Sequence, residues 1–272
     1  MSDASGADPS GLARETERTP VEVAREAQAT DSAGLPWSGR ALTSTGFDGD
    51  VGAADPDLLA ALDDSHDETT LMGAVAQARL LVPIVAAPSE VDDSGQLRVD
   101  LVALKSATDM AVVTLTSSDG QRALPVFSSL EALTAWDATA RPSPVTSSRA
   151  AQAAVSERCD VMLLDPGSGH ECVLRPSMVW ALAQQRDWLP AHTDPFVAQT
   201  LSRATAEEPD VIECIGEPDP AGAGILRVVL RLRPGLDSAQ VQALATRVGE
   251  QIATDGEARA RIDGLAFAIR QA

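Results

Sequence analysis

Lys105-Ser106-Ala107-Thr108-Asp109-Met110-Ala111 runs without a break into VVTLTSSDGQRALPVFSS, residues 112–129. A charged and polar entry gives way to an apolar run, Met110–Thr116, rich in β-branched residues. That run predicts a strand. Asp119-Gly120 is a dipeptide suited to the positive φ of a tight hairpin, so 123–127 is the returning strand. Pro125 lacks an N–H, which predicts an edge or a bulge there. Outward toward the C-terminus, Ser128-x-x-Glu131 predicts a capping box and a short helix carrying Leu130, Leu133 and Trp136. Arg141-Pro142-Ser143-Pro144 is expected as a loop, followed by a helix over 146–158. Val161–Leu164 is continuously apolar, hence a buried strand. Asp165–Gly169 is a turn and Cys172–Leu174 a strand. Pro176 sits where a helix begins, and that helix carries Met178, Val179 and Leu182, with Trp180 one face over.

Outward toward the N-terminus, Asp57–Leu62 predicts a short helix behind Pro56, and acidic residues 63–68 a spacer. A helix over 71–80, a strand over 80–86 and a strand over 101–104 follow. Pro83 inside the 80–86 strand again predicts an edge or a bulge. Beyond a polar, Pro-containing stretch, Leu226, Val228, Leu230 and Leu232 alternate with Ile225, Arg227, Val229 and Arg231. Period two gives one apolar face and one partly cationic face. Asp237-x-x-Gln240 caps a helix carrying Val241, Leu244, Ala245, Val248 and Ile252. Val211–Ile215 and the alternating Leu265, Phe267 and Ile269 complete a β-β-α-β unit.

The fold class is therefore α/β (α+β), built as two small modules. The first is a mixed-sheet N-terminal domain with flanking helices over 70–190. The second is a β-β-α-β C-terminal domain over 210–272, with 191–209 as linker. Residues 1–69 are an acidic arm, expected to be largely disordered. Within it, 35–54 (LPWSGRALTSTGFDGDVGAA) carries Trp37 and Phe47 among glycines. Two large aromatics in an aperiodic segment predict docking, either on the chain's own body or on a partner.

The net charge is -19, and residues 1–68 hold 15 acidic and 4 basic residues, or -11 of it. Such a chain repels phosphate backbones and anionic membranes, so neither nucleic acid nor membrane is expected as a partner. Aromatics make up 3% with no Tyr, so the core is aliphatic. Cys159, Cys172 and Cys214 are widely spaced and odd in number, which fits reduced thiols in a cytoplasm. The start MSDASGADPS has neither a basic nor an apolar region of a signal peptide.

Candidate chemistry is sparse. Cys172 in His170-Glu171-Cys172-Val173-Leu174-Arg175 invites an activated thiolate, but it enters an apolar strand, which favours a structural thiol. His66, His170 and His192 lack paired metal-ligand spacing. Pro166-Gly167-Ser168-Gly169-His170 lacks the Lys-Ser/Thr of a phosphate loop and precedes a strand. Gly222-Ala223-Gly224 is expected as a turn. Lys105 is the chain's lone lysine, and with Asp109 and Arg175 it is the candidate polar recognition site. No metal and no cofactor is expected.

Several segments together resemble SseB-like proteins of actinobacterial type. ARLLVPIVAAP, KSATDMAVVTLTSSDGQRALPVFSS, LTAWD, CDVMLLDP and VLRPSMVWALAQ resemble the N-terminal domain, and VVLRLRPGLDSAQVQALATRVGE the C-terminal one. LPWSGRALTSTGFDGD is similar to the N-terminal extension of actinobacterial members. The resemblance implies a link to serine sensitivity, a phenotype rather than a chemistry, and carries over no catalytic residues. The resulting expectation is a non-enzymatic interaction or regulatory protein with a protein partner. Its binding residues would be Lys105, Asp109, Arg175, Trp37 and Phe47. The alternatives are a thiol or sulfur-handling protein using Cys172 and a small-metabolite sensor.

Overall fold

The chain was described from a computed structural model, which covers residues 46–64, 67–86, 98–103 and 110–271. Asp55 starts the first helix, α1 (Pro56–Asp63), by accepting from the N–H groups of Asp57 and Leu58, with Pro56 at the first helical position. Asp67 does the same for α2 (Glu68–Gln77) through Thr69 and Thr70. The acidic stretch expected as a spacer is thus a cap, and α2 begins three residues before Leu71. Strand β1 (Arg79–Ala86) follows directly.

The first sheet holds β1, β2 (Arg98–Ala103), β3 (Met110–Thr116), β4 (Arg122–Val126), β5 (Arg141–Thr146), β6 (Val161–Leu164) and β7 (Cys172–Leu174). Its order is β5-β1-β3-β4-β6-β7, with β2 also pairing β3. The β4–β6 pair is parallel and the other pairs antiparallel, so the sheet is mixed. The Asp119-Gly120 hairpin is present, with Gly120 at φ +87°.

The prolines correct the expected strand roles. Neither β1 nor β4 is an edge. Leu81 exchanges both backbone hydrogen bonds with Phe127 (2.8 and 2.9 Å), and pairing of β1 to β3 begins only at Ile84. Pro83 falls in that gap, where no ladder partner needs its N–H. Pro125 is placed likewise. The carbonyls of Arg122 and Val126 accept from Asp160 and Asp165, so by the two-residue period Pro125 faces away from β6, beyond the last residue paired to β3. The segment 141–146, expected to open with a loop, is the edge strand β5. Its Pro142 and Pro144 lie opposite Pro83 and Leu81. Those are the β1 residues that point away from β5, so both prolines turn their missing N–H outward.

Helix α3 (Leu130–Trp136) is capped by Ser129, which accepts from Ala132, and not by Ser128. Ser128 is buried, with its N–H held by the Asp165 carboxylate at 2.7 Å, so the cap moves one residue on. Helix α4 (Ser147–Ser156) is capped by Thr146, and α5 (Pro176–Ala183) follows β7. Leu58, Val75, Leu80, Val82, Leu124, Met162, Leu164 and Met178 form one aliphatic core. Leu81, Phe127, Leu133 and Ala140 form a smaller core on the opposite side of β1, as the period of a strand requires.

Residues 191–209 are not a bare linker. They hold α6 (Pro195–Ala204), whose Val197 and Leu201 are buried in the second core. That core lies under the sheet β10-β9-β8, made of β8 (Val211–Pro218), β9 (Ile225–Leu232) and β10 (Gly264–Gln271). Helix α7 (Ser238–Thr254), with its Asp237/Gln240 capping box, and the short α8 (Gly256–Arg259) connect β9 to the parallel β10. Leu226, Val228, Leu230 and Leu232 meet Leu244, Val248 and Ile252 of α7. The opposite face is not a free cationic patch. Arg227 pairs with Glu217 (2.7 Å) and Arg231 with Glu213 (3.0 Å) across the β8–β9 ladder.

Residues 50–272 form one compact unit. In it, the end of the expected docking segment is fastened down. Asp50 binds Arg79, whose guanidinium also reaches the carbonyls of Ala53 and Ser128, and the Gly52 carbonyl accepts from Leu130 N–H at 2.7 Å. Residues 1–45, and with them the expected disorder of the arm, lie outside the described residues.

The proline placement has a direct test. Ser143 lies opposite Val82, in the pairs whose N–H groups enter the ladder. Ser143→Pro should cost about 1–3 kcal/mol in urea unfolding, while Pro142→Ser changes stability by less than about 0.5 kcal/mol.

Candidate functional site

Helix α5 begins without a cap of its own. Its N-cap position is Arg175, which makes no side-chain capping hydrogen bond, and Pro176 occupies the first turn. The free N–H of Ser177 is instead taken by Asp263, at the entry to β10, with 2.7 Å to Oδ1. Asp263 Oδ2 accepts from the Ser177 hydroxyl (2.8 Å) and from Arg175 Nε (2.9 Å). Ser177 Oγ in turn accepts from the Trp188 indole N–H at 3.0 Å. A carboxylate at a helix N-terminus also opposes the positive end of the helix dipole.

Arg175 carries the network to the other side. Its two terminal nitrogens grip both oxygens of Glu68, at the start of α2, in a fork-to-fork pair. The guanidinium carbon lies 5.7 Å from the centre of the Trp188 ring. Burial works against the charge on Arg175. Hydrogen bonds donated to Glu68 and Asp263, and the charges of both, more than offset it and hold the group above arginine's ordinary pKa. Gly224 closes the cradle. It sits at φ +83°, and a Cβ there would come within 2.5 Å of Arg175 Nε. The turn at 222–224 therefore needs glycine for its backbone and for the arginine beside it.

A second network runs alongside. Arg261 binds Asp194 (2.7 Å), the buried cap of α6, and Glu257, which also pairs with Arg186. Arg261 stacks 4.8 Å from the Phe196 ring. Between the networks lies a cleft of about 160 Å³, lined by Glu68, Arg175, Trp188, His192, Arg261 and Asp263 among others. That is below the roughly 300–1,000 Å³ of sites for drug-sized ligands.

Of the residues expected to bind, Arg175 lies in this junction, where carboxylates engage it on both sides. Phe47 is half-buried, between a bend at Gly46 and a turn at Asp48-Gly49. Lys105, Asp109 and Trp37 lie outside the described residues. Glu68, Ser177, Trp188, Gly224 and Asp263 were not expected. One local signal was available: a helix opening on Arg-Pro has no cap residue, so a partner from elsewhere had to supply one.

Cys172 is half-buried, and its thiol is pushed up by burial and by Glu68, which together outweigh Arg175. Burial pushes Cys159 and Cys214 up to about 11. His170 Nδ1 lies 3.1 Å from Asp63, both well exposed. Among the described residues, no group of three His, Cys, Asp or Glu is placed to hold a metal ion, and no helix is long and apolar enough to cross a membrane.

Two outcomes follow from this geometry. Asp263→Ala should cost about 2–4 kcal/mol, since it strands a partly buried arginine and a helix N–H. In a double-mutant cycle with Arg175→Ala the losses should fall short of additive by about 1–3 kcal/mol. Near pH 7 iodoacetamide should label Cys159 and Cys214 in the folded chain about a hundredfold more slowly than a free thiol, and Cys172 more slowly as well. Because folding favours the neutral thiols, their contribution to stability is full below the pKa of an exposed thiol and is lost as pH rises through about 11.

Among curated proteins and among solved structures, nothing matches this chain. Among protein families, residues 57–181 match the model described as SseB protein N-terminal domain. The match spans α1 through most of α5 and the whole first sheet, and it includes Glu68, Arg175 and Ser177. Residues 57–181 are thus similar to the SseB protein N-terminal domain.

Proposed function

We propose that this chain is a non-enzymatic protein-binding module, and that Trp180 is the centre of its contact surface. Trp180 carries the reading. In a chain with few aromatics, it stands 41% exposed on the outer side of α5. Trp188, by contrast, is buried, and Trp136 packs against Phe127 with ring centres 5.3 Å apart. An exposed tryptophan beside an arginine is the usual makeup of an energetic anchor at an interface. The groove next to Trp180 holds about 350 Å³ and is lined by Gln184, Gly256, Glu257, Arg259 and Ala260. The chain's charge of -19 favours a partner with a basic rim around the apolar contact.

In this reading, residues 210–272 act as the family's second domain, and the acidic arm with Trp37 and Phe47 adds a tether. Lys105 and Asp109 add a polar contact. The Arg175 junction holds α2, α5 and β10 in register behind the Trp180 surface. A role for Cys172 in sulfur handling has its raised thiol and the neighbouring Glu68 carboxylate against it. A metabolite sensor has the small, already paired cleft against it.

Affinity capture from native lysate separates these readings. Wild-type chain, Trp180→Ala, Trp37→Ala/Phe47→Ala and Lys105→Ala would be compared. A specific protein retained by wild type and lost with Trp180→Ala is the expected result. A specific protein retained by every variant places the contact elsewhere. Capture of nothing by wild type overturns the proposal.

A further inference from the structure

Exposed strand edges recruit other strands, and proteins blunt them. Among the described strands, every free edge but one is blunted. β5 turns Pro142 and Pro144 outward, and β7 is only Cys172–Leu174. β2 carries Arg98 and Asp100 in its sequence. β8 has a register shift between Val211 and Glu213, two glutamates, and Pro218 at its end. β10 has none of these devices. GLAFAIRQ pairs with β9 in unbroken register over its whole length, lacks proline, and has Arg270 as its one charged residue. Among the described residues nothing pairs with its free edge. Leu265 and Ile269 stand 38% and 41% exposed there.

We propose that β10 is the interface for a second copy of this chain, paired antiparallel about a two-fold axis at Phe267. The register supports this choice. Gly264 N–H donates to Gly224 on the β9 side, so even-numbered residues of β10 face β9. Leu265, Phe267 and Ile269 then point their N–H and C=O groups at the open edge. A two-fold at Phe267 makes each of these a hydrogen-bonded pair: Leu265 opposite Ile269 of the second copy, and Phe267 opposite itself. It brings the exposed aliphatics together on the face that already packs on α7, and so joins two apolar cores. Alanines meet alanines on the other face. Arg270 falls opposite Gly264, which has no side chain to obstruct it. Pairing of this kind is isologous, as a closed dimer requires. It buries no acidic side chain of β10, although two chains of -19 repel at a distance. The dimer should therefore tighten as salt rises.

Sedimentation equilibrium of the full chain over about 1–100 µM tests this. The expected mass rises from 28.3 kDa toward twice that value, and more readily at high salt. Leu265→Lys/Ile269→Lys should weaken association at least about a hundredfold with an unchanged far-UV spectrum, since it puts like charges opposite each other. Trp180→Ala should leave the dimer intact, which separates this interface from the proposed partner surface. Should the lysine variant unfold, hydrogen exchange on wild type decides. The amides of Leu265, Phe267 and Ile269 should lose protection on dilution. A wild-type mass of 28.3 kDa at every concentration overturns the proposal. So does a dimer that survives in the folded lysine variant, or protection of those amides that ignores concentration, which would mean that the chain covers its own edge.

Discussion

One carboxylate does the work of two in this fold. Asp263 caps a helix that has no cap residue and neutralises the arginine that occupies the cap position. A helix start left bare in a partly buried setting strands N–H groups, at about 1–3 kcal/mol each. An unpaired, partly buried arginine is costlier still. Both demands are met only if β10 enters where it does. The position of the second sheet relative to α5 and α2 therefore rests on a polar constraint, over and above apolar contact. Glu68 and Trp188 complete the arrangement by taking what Arg175 and Ser177 still have to offer.

The prolines follow a comparable logic. A strand tolerates proline only where its missing donor has no partner. Pro83 and Pro125 occupy places where the first sheet's ladder pauses, and Pro142 and Pro144 face outward from its rim. The sequence shows where a donor is missing. It does not show which side of the strand the donor would have faced, because that depends on register with strands distant in the chain. This is why Pro83 and Pro125 pointed to an edge or a bulge where the topology has interior strands with a pause in the ladder, and why 141–144 passed for a loop.

Elements with strong local period were legible throughout. The alternation at Ile225–Leu232, the Asp237/Gln240 cap, the Asp119-Gly120 hairpin and Pro176 at a helix start each correspond to what the structure contains. Shorter, polar segments were not. Helix α6 hid in a stretch whose Val197 and Leu201 are apolar only on one narrow face. The Arg175 junction was half legible, since the arginine could be singled out. Its partners Glu68 and Asp263 lie 107 and 88 residues from Arg175 along the chain. No local pattern links positions so far apart.

The pairing within the junction bears on where function can reside. A reactive or recognising group needs a valence left over, or a pKa drawn toward neutrality. Carboxylates engage Arg175 on its Nε and on both terminal nitrogens, three of its five N–H donors, and hold its charge in place. The three thiols are shifted away from the thiolate. Evidence of unmet demand lies instead at the surface, in an indole and an unblunted strand edge that the described fold leaves in water. Burying either would release free energy at roughly 25 cal/mol per Å² of apolar area.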